Sequence, residues 1–406
     1  MKKQKVLYII FPIIVWVALF VVYQTTFAYH FFFWEQHQLY LPTNVYTGNL
    51  GWLDCWSEWI TQWYFFRYAG PAILSFAITL TWALFYALLS KDSDASSKGR
   101  NIKIALTGIL LVANVFIHFG DRNMLKVQLL AIMLLVAIYC ASFFYKNLRY
   151  GAILTLLAVC PFWDEIHFYM PDSNYERQLA VENEYYFGNY EEAEEIIKNA
   201  ENKSDMMIFY YNLMMAKREG LPDHLFDMPR QVLGPELTLD DQSPREVFRI
   251  MPDFYYEIGD MTYAERAAML CMVFTRNNMY TPMLKRLAEI NLVSGDTIAA
   301  NKYLRILKQA PAYRTWAEMH TPGQMHPRFE QDIQRRRKFV NIQDSIRIGA
   351  DAHQILERLL DTNKNNIVAL DYLLCTYMLE RNEQGFKNAF HKYATRSTEL
   401  YESGLR

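Results

Sequence analysis

The sequence predicts an all-α protein: an N-terminal bundle of transmembrane helices over residues 1–171, then an α-solenoid of helix-turn-helix repeats over residues 172–406. Three observations predict it. Five apolar stretches separated by short polar breaks fill the chain up to Pro171. Beyond that proline the chain turns charged and helical, opening with Glu184-Tyr-Tyr-Phe-Gly188-Asn-Tyr190-Glu-Glu-Ala193-Glu-Glu-Ile-Ile197, where apolar residues recur at helical spacing. Two glycines followed by aspartate, Gly259 and Gly295, stand 36 residues apart, which is a repeat-like period.

The first element is residues 6–29 (VLYIIFPIIVWVALFVVYQTTFAY), an uncharged run long enough for a bilayer core that needs about 20 residues. Lys2, Lys3 and Lys5 precede it like the start of a signal peptide, but no small-residue cleavage site follows. A retained signal anchor is the expectation. Next, Trp52, Trp56, Trp59 and Trp63 recur at steps of four, three and four, one face of a helix over 52–66. Two readings stand open for that face: it lies in the membrane interface toward lipid, or it packs on the membrane helices. Further spans are predicted at 70–90, 104–120, 127–145 and 151–170. The last carries Pro161, Asp164, Glu165 and His167 in its C-terminal third.

Lysine and arginine in short loops resist translocation and set orientation. The N-terminus, loop 91–103 (Lys91, Lys98, Arg100, Lys103) and break 146–150 (Lys146, Arg149) are the richer ones. The alternate loops hold Arg67, or Arg122 and Lys126. Five spans with a cytoplasmic N-terminus fit this pattern. They place everything after residue 171 outside the cytoplasm, and failure of the fifth span reverses that placement.

In the second half, Gly188, Tyr190, Ala193, Ile197 and Ala200 occupy the small and bulky positions of a tetratricopeptide-like hairpin, whose period is about 34 residues. Another copy reads Tyr256, Gly259, Asp260, Ala264, Ala268 and Cys271. A third reads Leu284, Leu287, Ala288, Gly295, Asp296, Ala300, Leu304 and Leu307, closed by Pro311. A degenerate unit fits 205–227 with Gly220 at its turn, and a last hairpin runs from Leu370 to Tyr393. Two interruptions break the array: 228–246, rich in turn formers, and 310–349.

Composition narrows the function classes. A net charge of −2 excludes the basic footprint of a general nucleic-acid binder. Five scattered cysteines give neither a zinc spacing nor a disulfide framework, and read as buried thiols. No phosphate loop, zinc helix or nucleophile elbow occurs, and no cofactor is expected.

Two stretches resemble a known family: Phe33-Trp-Glu35-Gln36-His-Gln38-Leu39-Tyr-Leu-Pro-Thr43, and Met283 to Gly295 taken with Ala300-Asn-Lys-Tyr303-Leu and Tyr313-Arg314-x-Trp316. They are similar to an uncharacterised bacterial family of integral membrane proteins, a domain of unknown function. The resemblance implies a cell-envelope setting and membrane relatives with more spans than the five read here. It supplies no activity.

Two sets of candidate site residues follow. His30, Glu35 and His37 after the first span, His118 and Asp121 after the third, and Asp164, Glu165 and His167 at the end of the fifth share one predicted depth on the outer side. Converging carboxyl and imidazole groups can act as general acid and base or hold a divalent ion. Glu35, Asp164 and Glu165 are the catalytic candidates, and His30, His37 and His167 the metal candidates. The bland reading is that polar residues gather where helices leave the bilayer. The second set is Arg335, Arg336, Arg337 and Lys338, either a binding patch for an anionic partner or a solvated helix face.

The leading expectation is a non-enzymatic, membrane-anchored scaffold whose repeats bind an envelope protein or peptide, with membrane lipids as further partners and no nucleic acid. The competing one is a membrane enzyme, similar to glycosyl transferases, acting on a lipid-linked substrate through the outer-loop carboxylates.

Overall fold

The computed structural model describes residues 2–41, 51–90, 97–120, 122–145, 168–218, 220–233, 245–275, 279–340 and 352–394. All regular structure in them is helical, and the chain divides into two compact units, Met1–Leu179 and Ala180–Arg406.

The first unit holds α1 (Lys2–Thr26), α2 (Ala28–His37), α3 (Trp52–Thr61) with a 3-10 turn at Gln62–Phe65, α4 (Ala69–Ser90), α5 (Ser97–Ile117) and α6 (Leu125–Ala141). At 22 residues, α4 reaches ~33 Å, enough for a hydrocarbon core of about 30 Å. The predicted first span is broken: α1 and α2 meet at a bend of 79°. Phe27 leaves helical geometry there, at φ −151°, and the hydroxyls of Thr25 and Thr26 bond back to the Val21 and Val22 carbonyls. Such back-bonding competes with the backbone ladder and bends helices. The corner is filled by Tyr23, Phe27, Phe31, Trp34, Tyr64 and Phe119, all buried. Phe31 lies so close to α4 that a side chain at Gly70 would sit 2.6 Å from its ring.

By length and apolar composition, one described helix, α4, is fit to cross a membrane, and the bent α1–α2 pair is a second if counted as one span. The predicted spans at 104–120 and 127–145 correspond to apolar helical stretches of 17 residues, Asn101–Ile117 within α5 and Leu125–Ala141, which is α6. Of the predicted span 151–170, only the last three residues are described, so it lies outside the described residues.

In chain order, the remaining helices are α7 (Ser173–Phe187), which runs across the division between the units, α8 (Tyr190–Asn199), α9 (Asp205–Lys217), α10 (Arg245–Glu257), α11 (Met261–Val273), α12 (Thr281–Ser294), α13 (Thr297–Leu307), α14 (Arg314–Met319), α15 (Pro327–Arg337), α16 (Ala352–Thr362), α17 (Ile367–Leu379) and α18 (Glu383–Tyr393). One turn design recurs in the second unit. Gly188, Gly259, Gly295 and Arg381 each take positive φ between paired helices, and an Asn or Asp follows each. Asp260, Asp296 and Asn382 then cap the next helix, accepting from the amides of Tyr263, Ala299 and Gly385. At three of these turns the amide after the left-handed residue bonds a carbonyl five residues back, as Asn189 does to Glu184, Asp260 to Tyr255 and Asn382 to Tyr377. The buried residues five and nine positions after the glycines also correspond: Ala193 and Ile197, Ala264 and Ala268, Ala300 and Leu304.

Packing departs from a one-dimensional stack, in which each repeat touches only its neighbours. α9 and α17 are buried on all sides, from Met206 to Ala216 and from Val368 to Tyr377. A helix apolar all round must lie centrally. α17 accordingly packs on α9, and Tyr372 meets Phe254 of α10 edge-on at 5.1 Å. The degenerate unit at 205–227 retains α9, followed by a 3-10 turn at Pro222–His224. The interruption at 310–349 contains α14 and α15. α15 starts on Pro327, capped by the His326 side chain, and ends on the basic run, which suits the negative end of a helix dipole.

Candidate functional site

Helix α2, absent from the sequence-based layout, carries three of the predicted outer-side residues. His30 is buried, stacked on Phe27 at 3.8 Å, and its Nδ1 donates to Glu176 of α7 at 2.5 Å. The other Glu176 oxygen accepts from the Tyr29 amide at 2.6 Å. His37 donates through Nδ1 to the Phe33 carbonyl, and Glu35 is buried. Asp121, Asp164, Glu165 and His167 lie outside the described residues. Among the described residues no three His, Cys, Asp or Glu side chains cluster as a metal site.

α3 turns its polar side inward. Ser57, Glu58 and Thr61 are buried, while Trp52, Trp56, Trp59 and Trp63 are 62, 57, 45 and 47 % exposed. The helix is pinned by Asp54, which pairs with Lys126 at 2.6 Å. Asn123 joins Gln38 and Thr61 beside it. The tryptophan face therefore does not pack on the described apolar helices of the first unit.

The basic run divides by role. Arg336 forks onto Glu257 at 2.9 and 3.1 Å, and Arg337 donates to the carbonyls of Leu292 and Val293, which end α12. Arg335 and Lys338 stay on the exposed side, around a shallow depression shared with Glu330 and Gln334.

Arg336 belongs to a larger network that the sequence reading missed. α10 presents Arg249, Asp253 and Glu257 four residues apart, hence on one face. Arg249 lies 3.3 Å from Glu182 of α7, and Tyr280 donates to that carboxylate at 3.3 Å. Arg286 of α12 holds Asp253 through Nε at 2.8 Å and Glu289 through a terminal nitrogen at 2.6 Å. The Tyr256 ring sits between two guanidiniums, Arg286 at 4.1 Å and Arg336 at 4.4 Å. Lys217 of α9 lies 3.7 Å from Glu257. Lys285 rests over the rings of Tyr186 at 4.1 Å and Trp316 at 4.8 Å, with His320 stacked on Trp316.

Burial sets the protonation states. It pushes the Glu257 carboxyl upward, but the Arg336 guanidinium and Lys217 ammonium reverse that and hold it at about 2. Asp253 stays raised, because burial outweighs Arg286. Burial lowers Lys285 to about 8, against the opposing pull of Glu289. The guanidiniums are each answered by carboxylates, so the network ties α7, α9, α10, α12 and α15 together. The four-residue spacing of Arg249, Asp253 and Glu257 within an amphipathic helix was the signal that would have found it.

The model of a family of unknown function (DUF6057) matches residues 2–165 and 160–403, together almost the whole chain. No curated protein and no solved structure matches.

Proposed function

Since the chain belongs to the DUF6057 family of unknown function, we propose from its own geometry that it is a membrane-anchored, tetratricopeptide-like scaffold. Its repeat unit binds a protein or peptide segment at the extracytoplasmic face of the inner membrane. The carrying observation is the recurrent hairpin: a left-handed glycine followed by Asn or Asp, and a buried alanine five positions on, at Gly188, Gly259 and Gly295. Stacked hairpins create extended surfaces suited to binding extended segments. The ionic network supports a rigid frame, because it spends its charges on inter-helix pairing. α11 adds a contact surface: Met269, Val273 and the adjoining Phe274 are exposed apolar residues.

Anchoring rests on α4, the bent α1–α2 pair and the shorter apolar α5 and α6, with the tryptophan face of α3 at the lipid headgroups. The predicted multi-span bundle, including a crossing by 151–170, and a periplasmic second unit are parts of this proposal.

Two experiments test it. A reporter fused after Arg406 should be active outside the cytoplasm, and activity inside only would overturn the orientation. A photo-crosslinking residue at Val273 in intact membranes should yield one adduct of defined mass, absent from the same residue at exposed Ile298 of α13. Equal smears at both positions would remove the binding surface.

A further inference from the structure

The first unit contains a cavity of about 340 Å³ between α4, α5 and α6. Its wall is mostly apolar, with Phe85, Leu110 and Leu135 among the lining residues, and it carries a small polar group. That composition, apolar walls with a few fixed polar atoms, is the pattern of a small-molecule site.

The cavity's polar lining comprises His118, Gln128, Thr81 and Trp82, with Asn114 and Thr107 of α5 beside them. The Gln128 side-chain nitrogen donates to the Ala77 carbonyl at 3.2 Å and to the Thr81 hydroxyl at 2.5 Å. This fixes the amide orientation and turns its oxygen toward His118 Nε2, at 3.4 Å. A carbonyl oxygen only accepts, so Nε2 carries the proton and Nδ1 of the uncharged ring is a bare acceptor. His118 is 1 % exposed, and its Nδ1 has no hydrogen-bond partner. Trp82 Nε1, a donor only, is likewise buried without a partner at the same cavity. Orphaned buried polar atoms are costly in apolar surroundings and call for an explanation.

We propose that this cavity binds an uncharged, lipid-soluble hydroxyl compound, an apolar body whose O–H donates to His118 Nδ1. A hydroxyl both donates and accepts, so it suits a wall on which His118 leaves an acceptor and Trp82 a donor unanswered. A plain acyl chain fills the volume and leaves both atoms unanswered. The site is independent of the partner-binding role given to the repeat unit.

The test uses the full chain in lipid nanodiscs and four probes: 4-nonylphenol, nonylbenzene, dodecanol and dodecane. The hydroxyl members of each pair should bind about five- to tenfold more tightly than their hydrocarbon counterparts, the worth of one net hydrogen bond. His118→Phe keeps a ring and removes the acceptor, so it should abolish that preference. Trp82→Phe should narrow it, and serves if the His118 variant fails to assemble. Preference for the phenol alone identifies an aromatic ligand, and for dodecanol alone an aliphatic one; either supports the proposal. Equal binding within both pairs, no binding at all, or an unchanged preference in both variants overturns it.

Discussion

Arg336 and Glu257, 79 positions apart in the chain, face each other through two parallel hydrogen bonds of 2.9 and 3.1 Å. The same guanidinium lies 4.4 Å over the Tyr256 ring. One residue of α15 thus satisfies a carboxylate buried on α10, and the segment read from sequence as an interruption becomes a brace for the second unit.

Arg336→Ala removes the fork and leaves Glu257 with Lys217 at 3.7 Å. Breaking a buried pair on one side costs about 3–5 kcal/mol, because the surviving charge stays desolvated. Arg336→Lys keeps the charge without the fork and should lose less. The double variant Glu257→Gln/Arg336→Met should recover much of the loss, since an apolar replacement strands no charge. Urea unfolding of the detergent-solubilised chain, followed by circular dichroism, gives these values. Additive losses in the double variant would show that the two residues act separately.

Two buried groups give pH dependences of defined sign. The folded pKa of Glu257, about 2, lies below the unfolded carboxyl value near 4.3. Its contribution is therefore complete above about pH 4.3 and is lost as pH falls toward 2. Lys285 is lowered to about 8, against about 10.4 when unfolded. Between those values the unfolded chain holds the extra proton, so stability gains from this lysine as pH rises from 8 toward 10. Lys285→Met keeps the aliphatic stem over Tyr186 and Trp316 and should flatten that rise relative to wild type. Parallel wild-type and variant curves of melting temperature against pH would refute the assignment.

The four left-handed turns should respond unequally to substitution. At Gly188 and Gly295, φ is +82° and +87° and the space for a Cβ is open, so alanine should cost about 1–2 kcal/mol of backbone strain. At Gly259 a Cβ would also lie 2.5 Å from the Phe339 carbonyl oxygen, so Gly259→Ala should cost visibly more. Arg381 holds φ 57° with a full side chain, and Arg381→Gly should gain up to about 1 kcal/mol. Equal losses at the three glycines would mean that Phe339 yields freely.

These turns were legible in the sequence because glycine before Asp or Asn has a local meaning. Arg381-Asn382 does the same work without glycine and escaped notice. α4 was legible for a similar reason: an unbroken apolar run fixes its own length, and 70–90 agrees with Ala69–Ser90. α2 was not, because an unbroken aromatic run such as Phe31-Phe-Phe-Trp34 has no helical periodicity, and its bend depends on partners such as Tyr64 and Phe119 supplied from far along the chain. Arg336 shows the same limit at the candidate site. Four adjacent cations look alike in sequence, and only the position of Glu257 separates the brace from its exposed neighbours Arg335 and Lys338.

Helix α3 inverts the rule followed by helices in water. Its polar residues Ser57, Glu58 and Thr61 are buried, and its apolar stripe of Trp52, Trp56, Trp59 and Trp63 is turned out. Phe66 and Tyr68, 53 and 60 % exposed, extend the stripe. Leaving four indoles in water forfeits the burial that favours folding, so the stripe makes sense against lipid headgroups, where tryptophan partitions well. The chain has nine tryptophans, so the comparison must be differential. In vesicles of brominated phosphatidylcholine, wild type should lose more tryptophan emission than a variant with all four changed to phenylalanine. The difference should be larger for bromines near the headgroup than for bromines near the chain end, because a helix in the interface sits shallow. Quenching that is the same for both proteins, or deepest at the chain ends, would exclude a shallow lipid contact and leave the stripe free for another protein surface.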